Sequence, residues 1–143
     1  MKPIVIVSGG FDPVHRGHIE HFQEAAQLGT VIVGLNSDAR LTRKKGKPFL
    51  SREERKIILS EFRSISEVIA FEDSDGSACD AIRQVHEKFK DSAQKIIFAN
   101  GGDRTADNIP EKDFCEKHGI EILYGIGKSG KIQSSSRVLE NRK

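Results

Sequence analysis

Short apolar runs alternate with amphipathic segments along this chain, and the alternation predicts strands separated by helices. Pro3 to Ser8 reads as a short run rich in β-branched residues. A Gly-rich turn follows, and then Ile19, Phe22, Ala25, Ala26 and Leu28 recur at helical spacing, so the first unit reads strand, loop, helix. Thr30 to Leu35 is a second strand run. Ser51 opens S-R-E-E, a capping box heading a helix that carries Ile57, Ile58, Leu59 and Phe62. Val68 to Phe71 reads as a third strand, and Ala78, Ile82, Val85 and Phe89 share one face of the next helix. Lys95 to Ala99 is a fourth strand. Pro110 suits the first turn of a helix reaching His118, with Gly119 as its left-handed cap. Glu121 to Tyr124 is the fifth strand, and Ser134 is placed to cap a last short helix.

Five apolar strands alternating with helices imply an open parallel α/β sheet with helices on both faces, in one domain spanning 1–143. Ligands of such sheets bind beyond the carboxyl ends of the strands. The loops to read are therefore Gly9 to Gly17, Asn36 to Leu50, Asn100 to Ile109 and Gly125 to Gln133.

The 143 residues are 36% apolar and 31% charged, polar for a folded protein yet sufficient to bury a sheet. A formal charge of +2 excludes the broad cationic surface of a nonspecific nucleic-acid binder. Near the N-terminus only Ile4 to Val7 is uninterrupted and apolar, far short of the roughly 20 residues of a membrane span, so a soluble cytoplasmic protein is expected. Cys79 and Cys115 form no C-x-x-C and are expected to be inert packing residues.

The chemistry concentrates in the first loop, S-G-G-F-D-P-V-H-R-G-H, from Ser8 to His18. Gly9 and Gly10 let backbone approach a phosphate, and the helix that follows aims its unpaired N–H groups at the same point. His15 and His18 flank Arg16 and Gly17, so both imidazoles can turn to one phosphate while Gly17 permits its close approach. Capping of backbone groups is the competing role for the two histidines. A metal site from His18, His21 and Asp12 is conceivable, but no further ligand has the required spacing. His86 and His118 lie on separate helices and read as surface residues. No G-x-G-x-x-G fingerprint is present, and Gly127-Lys128-Ser129 lacks the upstream Gly of a P-loop.

H-R-G-H after G-G-F-D resembles the H-x-G-H signature of the cytidylyltransferase-like nucleotidyltransferases, among them glycerol-3-phosphate cytidylyltransferases and heptose 1-phosphate adenylyltransferases. The resemblance extends over nearly the whole chain. Asn36 to Lys47 looks like the family's lysine-bearing arm, Arg52 to Arg55 like its arginine-bearing helix, Gly101 to Arg104 like its nucleotide-side loop, and Gln133 to Ser136 like its I-S-T-T-type segment. H-x-G-H also occurs in class I aminoacyl-tRNA synthetases, but those need far longer chains and no K-M-S-K-S follows here. The G-G-D triplet and the N-S-D arm lean toward the heptose type.

What the resemblance implies is a Rossmann-like nucleotidyltransferase that joins an NMP from ATP or CTP to a small phosphorylated sugar or polyol. His15 and His18 would contact the α- and β-phosphates, and Lys44 or Lys45 would neutralise the acceptor phosphate and the α-phosphate. Gly9, Gly10, Phe11, Asp12, Gly17, Gly101, Asp103, Arg104, Ser134, Ser135 and Ser136 would hold the nucleotide, and Arg55, or Arg52, the acceptor. Five basic residues from Arg40 to Lys47, with no acid among them, suit a flexible lid over a polyanion. Mg²⁺ is expected to arrive on the triphosphate, with few protein ligands and no resident metal. A homodimer is expected, with no nucleic-acid or membrane partner. A noncatalytic nucleotide sensor and a metal-dependent phosphohydrolase are the rival readings.

Overall fold

Five strands of one parallel sheet organise the computed structural model, which describes residues 2–93, 95–101 and 109–126, and the backbone alone at Lys44 and Lys45. The order along the chain is β1 (Ile4–Gly9), α1 (Arg16–Leu28), β2 (Thr30–Leu35), α2 (Asp38–Lys45), α3 (Arg52–Ser60), β3 (Glu67–Ala70), α4 (Cys79–Phe89), β4 (Ile96–Ala99), α5 (Lys112–Lys117) and β5 (Glu121–Leu123). Across the sheet the order is β3-β2-β1-β4-β5, every pairing parallel. This is the expected open, Rossmann-like α/β sheet.

The central strand explains its own sequence. β1 pairs on both edges, Val5 facing Val31 on β2 and Ile97 on β4, and both of its faces are covered. Such a strand reads as a continuous apolar run rather than an alternating one. Val5 and Val7 enter one core with Phe22, Ala25 and Leu59 from α1 and α3, while Ile4 and Ile6 enter the other with Ile82, Val85 and Cys115 from α4 and α5. The chain turns from α1 into β2 at Gly29, where a Cβ would lie 2.2 Å from the Pro3 carbonyl oxygen, so only glycine fits there.

Strand order reverses between β1 and β4, and open α/β sheets bind ligands beyond the carboxyl ends of the strands at such a reversal. The loop following β1, together with Asn100 and Gly101 after β4, lies at that end of the sheet.

Three local expectations need correction. The basic arm is not irregular throughout: Ser37 accepts from the Arg40 N–H, Asp38 occupies the first turn, and Leu41 is buried, so helix α2 forms within it. Pro110 precedes α5 instead of entering it; the helix begins at Lys112, and the Glu111 carboxylate caps α4 through the Ala78 N–H at 2.6 Å. His86 and His118 are half-buried and face each other with ring centroids 4.9 Å apart. Gly119 does take the left-handed conformation, with φ +68°. The helix expected at Ser134 lies outside the described residues. Among those described, no helix is long and apolar enough to cross a membrane.

Candidate functional site

The start of α1 is built by its two histidines. His15 is the N-cap; its Nδ1 accepts from the Gly17 N–H at 3.1 Å, and His18 Nδ1 accepts from the His15 N–H at 3.2 Å. The rings stack with centroids 3.8 Å apart, and Phe11 supports His18 edge-on at 4.9 Å. A ring nitrogen that accepts a hydrogen bond carries no proton, so this network places the proton of each neutral imidazole on Nε2. Capping and ligand binding are therefore compatible: Nδ1 holds the helix, and Nε2–H is a donor whose direction the cap fixes. His15 Nε2 is buried without a hydrogen-bond partner, and burial lowers the His15 pKa below the ordinary imidazole value. A neutral donor held apart from water is suited to charge that develops on a phosphate oxygen.

Gly9 and Gly10 are needed for packing more than for open space. A Cβ on Gly9 would come 3.0 Å from the Phe11 ring, and one on Gly10 would come 2.8 Å from Leu41 Cδ2. Phe11, with φ +48°, is buried between His18 and Phe22 and so supports the site rather than lining it. Asp12 is also fully buried. Its carboxylate accepts from the Phe49 N–H at 2.6 Å and the Leu50 N–H at 2.7 Å, which makes it a tie between the histidine loop and the end of the basic arm, not a nucleotide ligand. Among the described residues no group of three His, Cys, Asp or Glu is placed to hold a metal ion.

Arg55 corrects the expectation most sharply. It is 1% exposed, and its guanidinium donates to the carbonyls of Leu50 (3.1 Å), Gly10 (3.0 Å) and Asn36 (3.0 Å) and to Asp38 Oδ1 (2.7 Å). A buried cation of this kind joins the loop after β1, the loop after β2 and the entry to α3; it presents nothing to an acceptor. Arg52 is half-buried, with one long contact from Nη1 to the Phe71 carbonyl at 3.5 Å, and keeps donors for an anion.

Asp73 belongs to the same scaffold and was not legible in the sequence. Its carboxylate accepts from the Ser37 N–H (2.7 Å), Ser37 Oγ (2.7 Å) and Asn36 Nδ2 (3.1 Å), fixing the start of α2. Burial opposes its ionisation, but those hydrogen bonds and the charge of Arg52 outweigh it and hold the carboxyl below its usual value. The only signal was an acid just past an apolar strand in D-S-D-G.

Lys44 and Lys45 end α2, which brings their backbone beyond the carboxyl end of β2. Gly101 lies just beyond β4, beside His21 of α1. Gly17 is buried in the first turn of α1. Asp103, Arg104, Ser134, Ser135 and Ser136 lie outside the described residues. Both cysteines are free thiols; burial pushes Cys115 up to about 12, with Cys79 and Glu111 adding to the effect, and raises Cys79 as well. Neither is poised to react.

Comparison with known proteins gives the family and the fold. A family model described as cytidylyltransferase-like matches residues 6–126. The bifunctional protein HldE of Syntrophotalea carbinolica is 36% identical over 97% of this chain, and that of Helicobacter pylori 40% identical over 95%. The chain spans only about a quarter of the length of these curated relatives, 27% and 28% respectively. A lipopolysaccharide core biosynthesis protein from Thermoplasma volcanium shares the fold, with a TM-score of 0.66 at 20% identity, covering 87% of this chain and 96% of its own.

Proposed function

This chain belongs to the cytidylyltransferase-like family, and from that premise we propose that it transfers an NMP from an NTP to a small phosphorylated sugar or polyol, releasing pyrophosphate. The observation that carries the reading is the reciprocal cap of His15 and His18, which seats both Nδ1 atoms on backbone N–H groups and leaves the proton of each ring on Nε2. The acceptor phosphate has a second pKa of about 6 and is mostly dianionic at neutral pH, so it attacks the α-phosphorus without a general base. A bond forms from the acceptor oxygen to the α-phosphorus while the bond to the bridging oxygen of the β-phosphate breaks, and pyrophosphate carries that electron pair away. The protein's part is positioning and charge stabilisation.

His15 and His18 donate to oxygens of the α- and β-phosphates, and Lys44 or Lys45 neutralises the acceptor and α-phosphates. Arg52 holds the acceptor phosphate. Gly101, Asp103 and Arg104 read the nucleoside, and Ser134 to Ser136 bind the outer phosphates. Mg²⁺ enters as part of the NTP substrate. The G-G-D triplet and the N-S-D arm favour ATP with a sugar 1-phosphate of heptose type. A screen of four NTPs against phosphorylated sugars and polyols, read by pyrophosphate release, tests the proposal: one pair should turn over well above the rest, and silence across the whole panel would refute it.

A further inference from the structure

His21 sits three residues beyond His18 on α1, and its ring rests on the loop that continues β4. A Cβ on Gly101 would come 3.1 Å from His21 Nδ1 and 2.9 Å from the Ile126 carbonyl oxygen, so glycine at 101 is what lets this ring lie there. His21 Nε2 is buried and has no hydrogen-bond partner. Buried polar atoms in native structures are nearly all paired, so an orphan beside the chain that leaves β4 needs an explanation.

The ring's proton supplies one. Burial lowers the His21 pKa, against Glu24 and a hydrogen bond to the Ala99 carbonyl that raise it, so the imidazole is neutral at neutral pH. A neutral imidazole has one N–H, and a carbonyl can only accept it. With the Nε2 atom unpartnered, the proton belongs on Nδ1, at the Gly101 side, and Nε2 presents a lone pair. This is the reverse of His15 and His18, whose Nδ1 atoms accept. Ionised phosphate oxygens offer that lone pair no donor, whereas a hydroxyl or an amine does.

We infer that His21 reads the nucleoside half of the bound NTP, accepting through Nε2 a hydrogen bond from a ribose hydroxyl or an exocyclic amine of the base. The inference rests on the NTP-binding part of the nucleotidyl-transfer reading.

NTP affinity should be measured by calorimetry for the wild type, His21→Leu and His21→Gln. The probes are ATP and CTP, their 2′-deoxy and 3′-deoxy forms, and ITP and UTP, which lack the exocyclic amine. One modification is expected to weaken wild-type binding about tenfold or more, and His21→Leu should lose as much on the parent but nothing further on that analogue. Gln, whose amide oxygen accepts, should recover part of the loss. Imidazole ¹⁵N shifts should report Nδ1–H for His21 and Nε2–H for His15. The inference is overturned if every analogue binds the wild type like its parent, if His21→Leu weakens all of them equally, or if His21 carries its proton on Nε2. Should the leucine variant fail to fold, the analogue series on the wild type decides. The expected binding pattern without pyrophosphate release under any acceptor would sink the transfer reading and leave this one standing, whereas no NTP binding at all would sink both.

Discussion

His15 and His18 serve the fold through one ring nitrogen and, in the proposed reaction, the chemistry through the other. Nδ1 supplies the helix cap that Ser or Asp usually supplies, and Nε2 carries the proton that the proposed transfer reaction uses. Truncation of either to Ala should therefore lower kcat by about 10²-fold or more with little change in KM for NTP, because the donors act on charge that grows in the transition state. Steady-state kinetics with unchanged kcat in both variants would remove them from the mechanism. The same burial makes stability depend on pH. His15 and His21 are held below the ordinary imidazole value of about 6.5, so the unfolded chain binds protons that the folded chain refuses. Their contribution is complete above about pH 6.5 and is lost as pH falls through the lowered folded values. Thermal unfolding followed by circular dichroism should show Tm declining from pH 7 to pH 5, less steeply in His21→Leu; equal slopes would mean that His21 is not the group responsible. Asp73 acts in a lower window, since its depressed carboxyl keeps its contribution until the pH falls below the usual carboxylate range of about 3.9.

At the scale of elements, the histidine loop and the basic arm are one assembly. Asp12 ties the loop to Phe49 and Leu50, Arg55 ties Gly10, Asn36 and Leu50 to α3, and Asp73 fixes the entry to α2. Because Arg55 is wholly buried, Arg55→Ala leaves three carbonyls without their donor and Asp38 without its cation. A loss of about 3 kcal/mol in urea unfolding is expected, moderated because Asp38 is about half exposed. Arg55→Lys should recover little, since one ammonium cannot span acceptors set around a planar guanidinium. If Arg55→Ala kept wild-type stability and lost only acceptor affinity, the side chain would be a ligand after all and the buried clamp would be wrong.

For the whole molecule, what could be read from the sequence follows from what is local. Strands buried on both faces announce themselves as apolar runs, so β1 and β2 were legible to within a residue or two, and the S-R-E-E cap located α3. The two histidines were legible because their spacing within one loop and helix start sets their geometry. Arg55 and Asp12 were recognisable as motif residues but not in their roles, because their partners stand 45 and 37 positions away and only the assembled sheet brings them together. Helix α2 was hidden by its charge, as Leu41 is the one buried anchor among its described side chains and the surface that Leu41 meets is Gly10 of another loop. The central claim is that a single site brings an NTP and an acceptor phosphate together with His15 and His18 on the α-phosphate. The most direct test is pyrophosphate release with the best NTP and acceptor pair, in the presence and absence of acceptor, for the wild type and the His15→Ala/His18→Ala double variant. Release equal in amount to acceptor consumed is expected, with none in the absence of acceptor and a drop of at least about 10²-fold in the double variant. Release without acceptor, or undiminished release from the double variant, would contradict it.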